Sequence, residues 1–140
     1  MLTAYLFFDG NAEEAFNFYK SALEGEFSMF TRFSDTEYGG QMPDEQKKKI
    51  MHVSLDAPGG VKLLGCDYID HSGQQPFKHG NNFALTLHPD SKESADKLFT
   101  ALSAGGTVTM PMDNTFWGAY FGMFLDKFGI HWMVNYQLQQ

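Results

Sequence analysis

The chain has 140 residues, of which 43% are hydrophobic and 16% aromatic, so it can bury one core and is expected to form a single domain over residues 1–140. Its formal net charge of −7 disfavours nucleic acid or an anionic membrane as partner, and no apolar run approaches the ~20 residues that cross a bilayer. The single cysteine, Cys66, excludes an internal disulfide and is typical of a reducing compartment, so a cytoplasmic protein is predicted.

The first predicted elements are a strand, a turn and a helix. Residues 2–8 form an apolar run typical of a strand, and Asn11 is a suitable cap for the helix that follows. The helix extends to about Leu23, and Gly25 is predicted as its left-handed stop. Its apolar positions recur at helical spacing, at Ala15, Phe16, Phe18, Tyr19, Ala22 and Leu23.

A second strand over residues 26–33 leads into a polar segment. Residues 34–49 contain two glycines and a proline and are long for a loop in a compact domain, so they are predicted to be either a lid over a site or a disordered loop. Strands follow at residues 50–56 and 61–67. Between them, the sequence Ala-Pro-Gly-Gly is typical of a hairpin turn.

The second half of the chain repeats this order, with strand 82–88, helix 92–104 and strands near 107–112, 115–125 and 131–137. The two helices align at a constant offset, so that Glu13 corresponds to Glu93 and Gly25 to Gly105. The repeats therefore cover about residues 1–68 and 80–137. Two such units predict an α+β protein with antiparallel-rich sheets, helices outside and a concave sheet face for a ligand.

Four segments carry a resemblance to a known family: "YLFFDGNAEEAFNFY", "IMHVSLDAPGG", "NNFALTL" and "TFWGAYFGMFLDKFGIHWMVNY". They resemble the PhnB-like branch of the glyoxalase, bleomycin-resistance and extradiol-dioxygenase superfamily, also called the vicinal oxygen chelate fold. The resemblance covers essentially the whole chain and implies two βαβββ modules. It further implies half-barrel sheets that are usually completed by a second subunit.

The resemblance also implies four positions for a divalent metal, one on the first and one on the last strand of each module. Strand alternation and the alignment of Gly60 with Gly129 assign these positions to Ala4, Leu64, Asn82 and Met133. Two of the four side chains are alkyl and offer no donor, so the usual metal site is predicted to be absent and no cofactor is expected.

His52 is the first candidate for a catalytic or binding residue. In the strand around it, His52, Ser54 and Asp56 alternate with Met51, Val53 and Leu55, a pattern that predicts one polar and one apolar face. If the polar face is the concave one, His52 can donate a hydrogen bond or act as a general base near neutral pH. The alternative is a structural histidine bonded to a backbone carbonyl.

Other candidates are weaker. His131 shares a strand face with Met133 and is the second candidate for a cleft position. The histidines His71, His79 and His88 lack the i, i+4 spacing of a helical metal pair and are predicted to be surface residues. Cys66 has no basic neighbour in sequence, which indicates a small buried hydrophobe rather than a nucleophile.

An aromatic wall is predicted in the last quarter of the chain. Tyr120 and Phe124 share a strand face, and Gly118 and Gly122 on that face leave room for something to approach the backbone closely. A flat apolar or aromatic ligand suits such a wall. The residues predicted to line the ligand cleft are Phe8, His52, Ala84, Thr86, Tyr120, Phe124 and Met133.

These observations lead to a prediction of function. We expect a small-molecule-binding protein without the usual metal, resembling the antibiotic-sequestering relatives, that forms a homodimer because bare sheet edges are otherwise exposed. The alternative is a metal-dependent lyase, isomerase or dioxygenase with a rearranged ligand set drawn from His52, Asn82 and His131. A doubly wound methyltransferase and a serine hydrolase are disfavoured, because the chain lacks both a Gly-rich strand-to-helix turn and a G-x-S-x-G elbow.

Overall fold

A computed structural model describes residues 1–69 and 76–138 of the chain. These residues divide into two compact units, Met1–Lys78 and His79–Gln140. His71, one of the predicted surface histidines, lies outside the described residues. Within the described ranges, no helix is long and apolar enough to cross a membrane.

The first unit contains one helix and one mixed sheet. Its four strands are arranged in the order β1-β4-β3-β2, with β1 parallel to β4 and the other neighbours antiparallel. The elements are β1 (Ala4–Phe8), α1 (Ala12–Leu23), β2 (Glu26–Arg32), β3 (Ile50–Ala57) and β4 (Val61–Asp67), with a short helix α2 (Asp44–Lys47) between β2 and β3.

The second unit repeats this topology. Its strand order is β5-β8-β7-β6, again with the first pair parallel. The elements are β5 (Leu85–Leu87), α3 (Lys92–Ser103), β6 (Thr107–Asn114), β7 (Ala119–Leu125) and β8 (His131–Gln137). The predicted α+β class and the two βαβββ modules are thereby confirmed, although β5 is much shorter than the predicted strand over residues 82–88.

In each unit the helix covers one face of the sheet. Phe16 and Tyr19 of α1 pack against Phe8 of β1, with ring centroids 5.8 and 6.3 Å apart. Phe99 of α3 packs edge-on against Phe124 of β7 at 5.1 Å. We call this the helix-covered face of each sheet and the side away from the unit's own helix its open face.

The segment between β2 and β3 is built of short helical turns. Two 3₁₀ turns, Phe33–Asp35 and Glu37–Gln41, precede α2. Arg32 joins this segment to α1, because its guanidinium makes two hydrogen bonds with the Glu13 carboxylate, at 2.7 and 3.0 Å, and donates to the Lys48 carbonyl at 2.8 Å. Whether the segment moves as a lid stays a prediction.

The ends of α1 differ from those predicted. The left-handed residue is Glu24, at φ 55°, and not Gly25. A side chain at Gly25 would meet the Asp56 carbonyl oxygen at 2.7 Å, so close packing is what requires glycine there. Asn11 makes no capping bond; instead the buried Asp67 carboxylate accepts the Ala12 N–H at 2.9 Å. In α3 the predicted cap is confirmed, since Ser91 accepts the Ser94 N–H at 3.0 Å.

Candidate functional site on the open face of the first sheet

The structure corrects the orientation of β1. Leu6 and Phe8 are buried beneath α1, and strand alternation puts Ala4 on the same helix-covered face. The prediction that Ala4 and Phe8 line the concave face is therefore wrong. The open face of β1 carries Tyr5 and Phe7 instead. Because all four residues from Tyr5 to Phe8 are apolar or aromatic, the sequence contains no polar alternation that marks which parity faces the helix.

The registers also change the correspondence between the repeats. Tyr5 pairs with Leu64, and Thr86 pairs with Met133, so Tyr5 corresponds to Thr86. Ala4 then corresponds to Leu85 and not to Asn82, which is exposed in a bend before β5. Leu64 and Met133 lie on the open faces of their own sheets.

The aromatic wall predicted on β7 faces the helix of the second unit. The Tyr120 hydroxyl donates to Asp96 of α3 at 2.6 Å, a bond that raises the pKa of the phenol. Phe124 is buried against Phe99. A Cβ at Gly122 would lie 2.7 Å from Phe99, so the group that approaches the glycine closely is the protein's own helix. The prediction that Tyr120 and Phe124 face a ligand cleft is wrong.

His52 lies on the open face of the first sheet and has a specific partner there. The Tyr5 hydroxyl lies 3.1 Å from His52 Nδ1, and the two rings are 5.6 Å apart. Tyr5 itself is not among the residues predicted to line the site. Tyr5 lies on the edge strand β1 and is 40% exposed, and His52 is half-buried beside it.

Cys66 completes this cluster. Its side chain hydrogen-bonds to Tyr5, and Phe7 pairs in register with Cys66, which puts the thiol on the same open face. Partial burial raises the pKa of the Cys66 thiol, while the bond to Tyr5 acts in the opposite direction. Burial and the same bond raise the pKa of Tyr5 far above its usual range. At neutral pH both groups are therefore protonated.

Other residues extend the open face around the Tyr5, His52 and Cys66 cluster. Ser54, buried, accepts a hydrogen bond from the Ser28 hydroxyl at 2.9 Å. The Phe7 ring is 50% exposed and lies 5.2 Å from the Tyr5 ring. The open face thus combines an imidazole, a phenol, a thiol and a hydroxyl with an exposed aromatic ring, which is the mixture of polar anchors and apolar surface found in small-molecule sites.

The open face of the second sheet is less polar. Thr86 and Met133 are paired on it, and Ala84 precedes β5 with the parity of Thr86. His131 shares this face with Met133, two residues along β8, and pairs in register with Leu125. Methionines dominate the centre of the face.

A charged cavity of about 520 Å³ lies elsewhere in the first unit, beside the start of α1. Its charged groups largely pair with one another: Arg32 with Glu13, and Asp67 with the N–H groups of Ala12 and Ile50. None of the predicted site residues lines it. The lining residues are Gly10, Glu13, Arg32, Glu45, Lys48, Lys49, Ile50 and Asp67.

Metal donors are sparse on the corrected positions. With Tyr5 and Thr86 in place of Ala4 and Asn82, the four implied positions offer a phenol, an alkyl group, a hydroxyl and a thioether. Over residues 1–69 and 76–138, no group of three or more His, Cys, Asp or Glu side chains is arranged to hold a metal ion. The absence of the usual divalent metal stays a prediction.

Comparisons with known proteins agree on the family. A family model described as "3-demethylubiquinone-9 3-methyltransferase" matches residues 1–135. The protein YjdN from Escherichia coli K12 is 30% identical over 99% of this chain and 97% of its own. Protein PA1353 from Pseudomonas aeruginosa is 38% identical, with a TM-score of 0.84 over 99% of this chain and 98% of that one.

Two further solved structures extend the likeness. A Bacillus cereus protein described as a putative 3-demethylubiquinone-9 3-methyltransferase, PhnB protein, is 26% identical, with a TM-score of 0.73 over 96% and 98% of the two chains. A Burkholderia phytofirmans protein of the glyoxalase, bleomycin-resistance and dioxygenase family is 22% identical and has a TM-score of 0.61 over 97% of each chain. The second likeness is one of fold alone, and it confirms the expected superfamily architecture.

Proposed function

Because the chain belongs to the PhnB-like family described as 3-demethylubiquinone-9 3-methyltransferase, within the glyoxalase and bleomycin-resistance fold, we propose that it is a small-molecule-binding protein whose ligand is held on the open face of the first sheet. The observation that carries the proposal is the hydrogen bond between Tyr5 and His52 Nδ1 on a partly exposed aromatic surface. No divalent metal takes part in this binding.

The bond to Tyr5 defines what His52 offers to a ligand. The Tyr5 hydroxyl can donate to Nδ1 or accept from it, and we infer that it donates, which favours the tautomer with a hydrogen on Nε2. Among the described residues, no side chain or carbonyl is bonded to Nε2. His52 therefore acts as a hydrogen-bond donor and not as a general base. It suits a ligand with a carbonyl or amide oxygen on an aromatic body, neutral or cationic in view of the net charge of −7.

Methyl transfer, which the family description names, is the competing function. Both sheets have the order 1-4-3-2 within their unit and are mixed, whereas a doubly wound methyltransferase needs a parallel sheet with a Gly-rich strand-to-helix turn. The turn between β1 and α1 is Asp9-Gly10-Asn11. Binding without methyl transfer fits these features better. The rearranged metal enzyme loses one expected donor, because Asn82 lies in an exposed bend outside the strands.

A thermal-shift screen tests the proposal. We expect small aromatic amides and ketones, such as benzamide and acetophenone, to raise the melting temperature of the native protein, because a ligand that binds only the folded state stabilises it. His52→Ala should abolish the shift. His88→Ala, an exposed histidine of the second unit, is the matched control and should keep it. Equal shifts in both variants, or a shift only with S-adenosylmethionine, would refute the proposal.

The open face of the second sheet is proposed as a further ligand-contacting surface through Ala84, Thr86 and Met133. Replacing Ala84 with Trp should fill part of this face and abolish the thermal shift of any ligand held there, while the protein stays folded. The thermal shift of each hit is compared between Ala84→Trp and the native chain. Undiminished shifts would remove these three residues from the site.

We also propose a cytoplasmic homodimer in which residues 1–140 act as one domain. Phe116 and Trp117, in the turn between β6 and β7, are 98% and 53% exposed, an aromatic surface that usually marks a contact with another molecule. Light scattering should give twice the chain mass of 15.8 kDa. A monomer at micromolar concentration would contradict the dimer, and two separate unfolding transitions would contradict the single domain.

A further inference from the structure

A threonine hydroxyl lies beside His52 on the open face of the first sheet. Thr31 of β2 pairs in register with His52 of β3, and the register is regular from Met29 to Thr31. Phe30, between these two residues, pairs with Val53, which is buried on the helix-covered face. Directly paired residues of an antiparallel sheet point to the same face, with Cβ atoms about 5 Å apart. Thr31 therefore shares the open face with His52.

The Thr31 hydroxyl is available to a ligand. The side chain is partly exposed, and in the part of the chain that the structure describes its hydroxyl has no hydrogen-bond partner. Other threonines differ, since the Thr36 hydroxyl donates to the Phe33 carbonyl at 2.9 Å. A threonine hydroxyl can both donate and accept a hydrogen bond. Thr31 thus offers a polar group that the protein itself does not use.

The His52 ring directs its second nitrogen toward the same side of the sheet. Tyr5 lies on β1 and Thr31 on β2, which are on opposite sides of β3. The Tyr5 hydroxyl lies 3.1 Å from His52 Nδ1. Because the two nitrogens of an imidazole point in divergent directions, an Nδ1 held toward β1 turns Nε2 away from Tyr5 and toward β2. The Nε2 hydrogen and the Thr31 hydroxyl therefore border one space.

A donor and an acceptor side by side match a carboxamide. Its carbonyl oxygen accepts a hydrogen bond, and the nitrogen on the same carbon donates one, whereas a ketone or an ester has no hydrogen to donate. A carboxylate fits less well, because the chain has a net charge of −7 and Lys62, on the same face, is paired with Asp56 at 3.4 Å.

We propose that Thr31 is a specificity-determining residue of the ligand surface around His52, a role that rests on the proposed function. Its hydroxyl accepts a hydrogen bond from the N–H of the ligand, and the carbonyl oxygen of the same ligand accepts from His52 Nε2. The ligand class is thereby a primary or secondary aromatic carboxamide.

Met29 supplies an apolar contact for the aromatic body of such a ligand. It is exposed and lies two residues before Thr31 on the same face of β2, about 6.6 Å along the strand. Thioether sulfur packs favourably against aromatic rings. The amide thus binds between His52 and Thr31 while the ring packs on Met29.

A ligand series measured on the full chain tests the role of Thr31. We use benzamide, N,N-dimethylbenzamide and acetophenone, and obtain each Kd from a chemical-shift titration. Benzamide should bind about fivefold more tightly than the two ligands without an N–H, the equivalent of one hydrogen bond of ~1 kcal/mol. Thr31→Val should weaken benzamide by the same factor and leave acetophenone unchanged. Thr31→Ser keeps the hydroxyl and should keep the preference.

Thr109→Val, at an exposed threonine of β6, is the matched control and should change no Kd. The melting temperature of each variant shows whether it is folded, and Thr31→Ala supplies the same test if Thr31→Val is not.

Equal affinity for benzamide and acetophenone in the native chain, or an equal loss of both in Thr31→Val, would overturn the role of Thr31 while leaving the proposed function intact. Benzamide bound as tightly by His52→Ala as by the native chain would refute the proposed function itself. A native chain that binds no benzamide up to its solubility limit would refute both.

Discussion

The open faces of the two sheets have the same framework but different chemistry. In the first unit the framework presents a phenol, an imidazole, a buried hydroxyl and a thiol, whereas in the second it presents mainly thioethers and aromatic carbon. The corresponding pairs, obtained from the registers, are Tyr5 and Thr86, His52 and Phe121, Ser54 and Met123, Leu64 and Met133, and Cys66 and Asn135.

The helix-covered faces, by contrast, are alike. Each is closed by large buried aromatics under the helix, and each unit has a buried carboxylate that accepts backbone N–H groups, Asp67 in the first and Asp126 in the second. The packing of helix on sheet constrains one face of each unit, whereas the other face is left to vary. The difference between the open faces is therefore where a difference in function is expected.

The largest effect on stability is expected when the buried carboxylates Asp126 and Asp67 are replaced, and it shows whether the two have the same role in their units. Asp126 accepts three hydrogen bonds, from Phe128 N, Ile130 N and Trp132 Nε1, whereas Asp67 accepts two. Replacement by Ala leaves these donors buried and unpaired, so the free energy of unfolding should fall by about 5 kcal/mol in Asp126→Ala and about 3 kcal/mol in Asp67→Ala.

Urea denaturation measures both losses, with the exposed Asp56→Ala as the control. A larger loss at Asp67 than at Asp126 would show that the number of buried donors does not determine the stability of the two units.

A smaller loss of stability is expected when Gly65 or Gly122, the glycines that lie beneath the two helices, is replaced by alanine. A Cβ at Gly65 would lie 2.7 Å from the Leu6 carbonyl oxygen and 2.6 Å from Phe16, and a backbone atom cannot move aside easily. At Gly122 the two closest atoms, both at 2.7 Å, belong to the side chains of Met112 and Phe99.

Overpacking of this kind costs 1 to 3 kcal/mol, so we expect losses of about 3 kcal/mol for Gly65→Ala and about 1 kcal/mol for Gly122→Ala. Thermal unfolding compares the two, and Gly40→Ala, which meets nothing within 4 Å, should be neutral. If both variants lose the same stability, the structure around each glycine relaxes to the same extent to accept the added methyl group.

A reactivity measurement sharpens the contrast between the open faces. The Tyr5 hydrogen bond lowers the pKa of Cys66, so Tyr5→Phe should raise that pKa and reduce the thiolate present at any given pH. Alkylation of Cys66 by iodoacetamide at pH 8 should become about fivefold slower, the equivalent of a hydrogen bond of ~1 kcal/mol.

Thr86→Val at the corresponding position of the second unit is the matched control and should not change the rate. A faster reaction in Tyr5→Phe would show that the phenol shields the thiol and does not stabilise its anion.

The smallest effect concerns the ion pair between Arg32 and Glu13. The hydrogen bond from Arg32 lowers the pKa of Glu13 below its ordinary value of 4.5. A lowered folded pKa stabilises the protein above the unfolded pKa, and this stabilisation is lost as the pH falls through the folded pKa.

Glu13→Gln should therefore be less stable than the native chain at pH 7, by well under 1 kcal/mol because the pair is partly exposed, and equally stable once the pH lies below the folded pKa of Glu13. Glu93→Gln, at the corresponding position of α3, is the matched control. If the difference between Glu13→Gln and the native chain stays the same as the pH is lowered, the effect is one of packing and not of charge.

The element order and the repeat were predictable from sequence because their signals are periodic. The helices could be recognised from apolar residues at helical spacing, and the strands β4 and β8 were predicted with their observed bounds, 61–67 and 131–137. His52 was also predictable as a polar-face residue, since Ser54 and Asp56 alternate with Val53 and Leu55.

The orientation of β1 and β7 was not predictable in the same way. In Tyr5 to Phe8 and in Ala119 to Leu125 both parities are apolar, so alternation does not identify the face that meets the helix. The close approach at Gly122 was correctly indicated, but sequence does not tell a ligand from Phe99 of the chain's own helix. The role of Tyr5 was not predictable either, because its partner His52 is 47 residues away in sequence and only the pairing of strands in the sheet brings the two side chains together.

The most direct test of the proposed function is the protonation and ligand response of the His52 ring, observed by ¹⁵N nuclear magnetic resonance at pH 8 in protein labelled in its imidazole nitrogens. We expect a hydrogen on Nε2, an Nδ1 without hydrogen that accepts from Tyr5, and a shift of the Nε2 signal when benzamide or another hit is added. Tyr5→Phe should remove the preference for this tautomer. A hydrogen on Nδ1 in the native chain, or an Nε2 signal unchanged at saturating ligand, would contradict the claim that the polar open face of the first sheet is the binding site.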